Sequence, residues 1–197
     1  MSELESADQL IERFDGRAPT YDDGEPHRLI ALAVAEFVSV NGVAVGRVRD
    51  VLDAATGTGL VLRALAPLLA PGARLTGIDI APGMLAVAQD KLPDATFLRA
   101  DAAALPFGDA SFDLLTCVTG IHLMPDAAAA IREWARVLRP DGRIVIANFT
   151  TLSGWGHLES IPDAASATGL AVSRHADLAL PEGSGFPDVL ITELAWP

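Results

Sequence analysis

The chain has 197 residues, half of them apolar, with 26 acidic side chains against 14 basic ones and a formal charge of −12. That length fits one domain with a sizeable core, and the apolar fraction excludes a disordered chain. So negative a surface repels phosphate backbones and anionic lipid, which argues against nucleic acid and membrane as partners.

The single cysteine, Cys117, can form no internal disulfide, which fits a reducing compartment. The start, MSELESADQLIERF, is acidic and amphipathic, without a basic n-region or an apolar signal core. No uninterrupted apolar stretch reaches membrane-spanning length, so a soluble cytoplasmic protein is expected. In chain order, residues 3–14 and 26–41 read as helices outside the sheet, a lid or flank formed by residues 1–45. From residue 46 to 197 the pattern changes to alternating strands and helices. Strand-like runs cover 47–55, 73–80, 95–101, 111–118 and 142–149, with helices at 59–69, 82–92 and 126–138 between them. In the last helix Ile131, Trp134, Val137 and Leu138 share one face, as a helix covering a sheet requires. Pro140-Asp141-Gly142 ends that helix, and Ala81-Pro82-Gly83 starts the one before it. After a further helix at 158–168, runs at 171–180 and 186–196 have too little between them for a crossover and read as an antiparallel hairpin. The expected fold is α/β: a three-layer, doubly wound, Rossmann-like sheet of seven strands, mostly parallel with an antiparallel last strand.

The stretch VLDAATGTGL (51–60) is a strand that turns into a helix through Ala55, Thr56, Gly57, Thr58 and Gly59. Glycines permit tight turning and close ligand approach, and the helix behind them presents free backbone N–H groups. A P-loop would need a lysine and a Ser/Thr after the second glycine, and neither is present. A dinucleotide site would want a third glycine where Leu62 stands. Asp53 would face such phosphates, whereas a carboxylate there suits a positively charged group such as an amino-acid moiety. Asp79, closing the next strand, can accept from both hydroxyls of a ribose. Asp101, closing the third, can accept from an exocyclic amine such as that of adenine. The plain alternative is that all three aspartates merely cap helices.

These segments together resemble class I S-adenosylmethionine-dependent methyltransferases, of the small-molecule type related to the ubiquinone/menaquinone C-methyltransferases. VLDAATGTG resembles the family's first motif, with Ala55 where glycine is usual. LTGIDIAPGML resembles the second, FLRADAAALPFGDASFDLLTCVTGIHLMPD the third and fourth, and ARVLRPDGRIVIANF the last. The match runs from about residue 48 to 149, which makes 46–197 the donor-binding domain. The resemblance implies S-adenosylmethionine as cofactor and S-adenosylhomocysteine as product. It places Ala55, Gly57 and Gly59, with Thr56 in the same loop, against the methionine and ribose. Ile80 and Met84 would lie against the adenine, and the Ala102 backbone would read its edge beside Asp101. Cys117 would lie beside the methionyl portion, or simply fill space as a buried thiol. FDGRAPTYD (14–22) resembles a segment folding over the cofactor, so Tyr21 is expected to contact the donor.

Methyl transfer from an activated donor needs alignment and water exclusion, and a base only where the acceptor must lose a proton. His122 in GIHLMPD and His157 in TTLSGWGHLES are the candidate bases, with Trp155 a candidate stacking surface. His27 faces either pocket or solvent, and His175 reads as structural. No metal ligand set is expected. The expected acceptor is a small organic molecule methylated at O, N or C. A cyclase-type enzyme that binds the donor without methylating, or a non-catalytic binding subunit, are the alternatives. With little sequence after the fifth strand to build an acceptor pocket, either the pocket is shallow or a second copy closes it as a homodimer.

Overall fold

The computed structural model describes residues 5–40, 45–150 and 161–197. Helix α1 (Ala7–Arg17) begins at a capping box, in which the Ser6 hydroxyl accepts from Gln9 N–H and the Gln9 side chain returns to Ser6 N–H. A short 3₁₀ segment, Ala18–Asp23, leads to α2 (Glu25–Val40). Then follow β1 (Asp50–Ala54), α3 (Leu60–Leu65), β2 (Arg74–Asp79), α4 (Pro82–Lys91), β3 (Thr96–Arg99), β4 (Phe112–Val118), α5 (Ala127–Val137), β5 (Leu138–Phe149), α6 (Ile161–Thr168), β6 (Ala171–Leu178) and β7 (Val189–Ala195).

The seven strands form one sheet in the order β3-β2-β1-β4-β5-β7-β6. The first five run parallel, and β7 lies antiparallel between β5 and β6. Side-chain composition explains that order. VLITELA in β7 is mostly buried, whereas β6 carries Ser173, Arg174, His175 and Asp177 and is mostly exposed, a pattern suited to an edge.

Period-two alternation sends neighbouring strand residues to opposite faces. Leu52, Leu115, Ile144 and Ile146 pack under α5 and α6 with Ile131 and Trp134. Val51, Leu114, Val145 and Ala147 pack under α2 and α3 with Ile30, Val34, Val38, Leu62 and Leu65. The two N-terminal helices therefore differ in kind: α2 is part of the sheet's covering layer, while α1 buries only Leu10.

Boundaries shift for local reasons. The helix expected over 59–69 ends at Leu65 and tightens into a 3₁₀ turn at Ala66–Leu68, because Pro67 has no N–H to continue the ladder. Strand β5 begins directly after α5, pairing Leu138 with Phe112 before an irregularity restores register at Arg143–Leu114. Among the described residues no helix is long and apolar enough to cross a membrane. Residues 151–160, which hold Trp155 and His157, lie outside the described residues.

Candidate functional site

The carboxyl ends of β1, β2, β3 and β4 converge on a cavity of about 190 Å³. Ala55 and Gly57 enter it from the turn after β1, Asp79 from the end of β2 with Ile80 just past it, and Met84 from α4. Ala100, Asp101 and Ala102 come from beyond β3, Val118 from the end of β4, and Thr119, Gly120, Leu123, Met124 and Pro125 from beyond it. Glu5, Ala7, Leu10, Phe14 and Tyr21 close the remaining side. A second cavity of about 40 Å³ adjoins it, sharing Tyr21, Ala55, Gly57, Val118 and Thr119 and adding His27, Asp53, Thr56 and Thr58.

The turn after β1 takes a left-handed course at Ala55, Gly57 and Gly59, with φ of 55°, 54° and 76°. Alanine at the first of these carries a steric cost of ~1–2 kcal/mol that glycine would avoid. A Cβ built on Gly57 would meet nothing within 4 Å, so the backbone there lies bare to a ligand. At the end of β4, Thr119 also has positive φ, 50°. A β-branched residue in that region is an outlier, and such strain concentrates at functional sites.

The three aspartates do different things. Asp79 is half-buried, and its carboxylate accepts from the N–H groups of Gly57 (2.8 Å) and Ala81 (2.9 Å), tying the glycine turn to the start of α4. Burial raises its pKa, against the lowering effect of those backbone donors. Two carboxylate oxygens carry about four lone-pair sites, so acceptor capacity remains towards the cavity. Asp101 lies two residues past β3, accepts from Ala103 N–H (2.8 Å) and still lines the large cavity. The turn-forming and ligand-facing readings of this residue coincide. Asp53 is buried, borders only the smaller cavity and accepts from two hydroxyls, Thr116 at 2.6 Å and Thr56 at 2.6 Å.

Burial pushes the Asp53 carboxyl up to about 6 despite those two donors. A raised carboxyl favours the neutral form, so the folded chain holds a proton that the unfolded chain releases near pH 4. Stability contributed by this group therefore falls as pH rises from about 4 to about 6, and above that it stays lower by ~3 kcal/mol. Asp53→Asn is expected to remove this slope, raising the thermal midpoint at pH 7.5 while leaving it nearly unchanged at pH 4. Thermal melts at the two pH values check it; equal shifts at both would refute the assignment.

Three residues expected at the site line neither cavity. Gly59 packs against α4, where an added Cβ would stand 3.3 Å from the Ala88 Cβ. Cys117 is wholly buried, lines neither cavity, and packs behind Gly120, where an added Cβ would stand 3.2 Å from its sulfur. Burial raises its thiol pKa, so it stays protonated. His122 also lines neither cavity; its Nδ1 lies 2.9 Å from the Asn148 Oδ1, and its ring stands edge-on to Phe149. Its neighbours Leu123 and Met124 face the cavity instead. Tyr21, Ile80, Met84 and Ala102 all line the large cavity. His27 borders the smaller one, stacked on Tyr21 at 4.2 Å, and burial lowers its pKa towards a neutral ring. His175 is exposed on β6.

With that geometry in place, similarity to known proteins is informative. Residues 52–146 match the family described as methyltransferase domain. By this match and by its strand order the chain resembles class I methyltransferase domains. It is 35% identical over 149 residues to a demethylmenaquinone methyltransferase of Chlorobaculum tepidum, covering 71% of this chain and 59% of that protein. It is 33% identical over 156 residues to a ubiquinone/menaquinone biosynthesis C-methyltransferase of Geobacter sulfurreducens, covering 75% and 60%. The chain thus spans less than two thirds of the length of these relatives. Its fold superposes on magnesium protoporphyrin IX methyltransferase of Synechocystis, solved with bound S-adenosylmethionine, over the whole of both chains, with TM-score 0.75 and 19% identity.

Proposed function

We propose that the chain transfers a methyl group from S-adenosylmethionine to a small, flat, largely apolar acceptor. One observation carries this reading: a bare glycine turn and the half-buried Asp79 carboxylate meet an apolar cavity at the ends of adjacent strands. In that placement Asp79 accepts from the ribose hydroxyls, and Ile80 and Met84 flank the adenine. Asp101 and the Ala102 backbone bind its edge, and the smaller cavity beside Asp53 takes the amino-acid end.

S-adenosylmethionine, when bound, supplies an electrophilic methyl group on a sulfonium. The protein's task is then to align and to dry the site. Leu10, Phe14, Leu123, Met124 and Pro125 form the apolar wall against which an acceptor ring lies, and Tyr21 spans the junction of the two cavities. The relatives' names make demethylmenaquinone the first acceptor to test, and they favour transfer over the cyclase and binding-subunit readings. Label from methyl-labelled donor is expected to appear in such an acceptor or in another ring compound of a metabolite panel. Donor binding without transfer to any of them would refute the reading.

Proton removal by His122 is not part of this mechanism, because its ring lies outside both cavities. His122→Gln is expected to lower kcat/KM by less than ~10-fold and to leave the shape of its pH profile intact, whereas loss of a general base costs ~10²–10⁴-fold. A vanished limb near the histidine pKa would return His122 to the chemistry.

A further inference from the structure

The N-terminal segment Glu5–Asp23 forms one side of the large cavity through Leu10, Phe14 and Tyr21, yet α1 buries little apolar surface of its own. It is fastened at two separate points. On the adenine side, Asp15 Oδ1 accepts from Gly83 N–H (2.7 Å) at the start of α4. On the amino-acid side, the Asp22 carboxylate accepts from the Thr58 hydroxyl (2.5 Å), within the glycine turn, and pairs with the Arg63 guanidinium on α3. Arg28 donates to the Asp22 carbonyl from α2. Between the two points Ala18 packs on Ala81 and Met84. The segment therefore covers one side of the place assigned to the donor.

We propose that Asp15 and Asp22 are positioning residues that latch this segment across the donor, so that loosening either contact speeds donor release. The inference rests on the donor placement under Proposed function. Local opening of a weakly packed segment needs far less free energy than global unfolding, so two contacts suffice to change how long the segment stays in place. Gly83 belongs to the device, because a Cβ there would stand 2.7 Å from the Asp15 oxygen and displace it.

The test is stopped-flow displacement of S-adenosylhomocysteine from the full chain. Asp22→Asn and Asp15→Ala are each expected to raise the dissociation rate about 10-fold, the scale of one lost charge-assisted hydrogen bond. Gly83→Ala should reproduce the Asp15→Ala effect, with the thermal midpoint of the ligand-free chain nearly unchanged in all three. Raising salt from 0.05 to 0.5 M should speed release from the wild type but not from Asp22→Asn, since only the former retains the Asp22–Arg63 pair. Dissociation within twofold of wild type in both aspartate variants would overturn the latch while leaving donor binding intact. Absence of binding to the wild type would instead overturn the donor placement itself.

Discussion

Replacing Asp79 with alanine is expected to weaken binding of S-adenosylhomocysteine by at least ~100-fold, the largest functional effect of any single substitution in the chain. Each hydrogen bond to a charged group contributes ~1.5–3 kcal/mol, so two ribose hydroxyls account for two or more decades. The same change removes the acceptor for Gly57 and Ala81 N–H, which releases the glycine turn from the start of α4. Asp79→Asn keeps the shape and one acceptor oxygen and should fall between. Burial raises the Asp79 pKa, so donor affinity should also decline as pH falls into that raised range, where protonation removes acceptor sites. Calorimetric titration measures all three, and wild-type affinity in the alanine variant would contradict the placement of the ribose.

The second large effect belongs to Trp134. Its side chain is fully buried on α5 beneath the sheet, and its indole N–H donates to the Ala102 carbonyl at 3.0 Å. Trp134→Ala is expected to destabilise the fold by ~3–5 kcal/mol through the cavity it leaves. For a chain of this size that lowers the thermal midpoint by on the order of 10 °C. Trp134→Phe separates packing from tethering. It retains most of the ring volume but leaves a carbonyl without its donor, at ~1–3 kcal/mol. Because that carbonyl belongs to the segment beside Asp101, Trp134→Phe should also weaken donor binding several-fold. A variant that loses stability yet binds the donor as wild type would show that α5 supports the sheet alone.

Much of this arrangement is legible in the residues themselves. Alternating apolar runs and turn residues locate the strands and helices, and VLDAATGTG with Asp79 points to a bare turn facing a carboxylate. The hairpin of β6 and β7 follows from the short link between them, and the charged side chains of β6 mark it as the outer strand. Cys117 could have been placed by alternation as well: it shares a face with Leu115, which packs under α5 and α6.

Other features depend on contacts between distant segments. Asp53 meets Thr116 only because β1 and β4 pair in that register, and nothing local to either strand reveals it. His122 falls in a single 3₁₀ turn, Ile121–Leu123, where the direction of a side chain is set by tertiary packing rather than by spacing. The left-handed backbone at Thr119 carries no signal in residue type, because threonine is among the residues least suited to it. The latch joining Asp22 to Thr58 and Arg63 spans three elements and becomes visible only once they are assembled.

The most direct measurement is a crystal structure of the chain grown with S-adenosylhomocysteine. The ribose should lie on Asp79, the adenine between Ile80 and Met84 with its edge at Asp101 and Ala102, and the amino-acid end beside Gly57 and Asp53. Density for the ligand elsewhere, or a filled site in which Asp79 touches no ribose oxygen, would contradict the account.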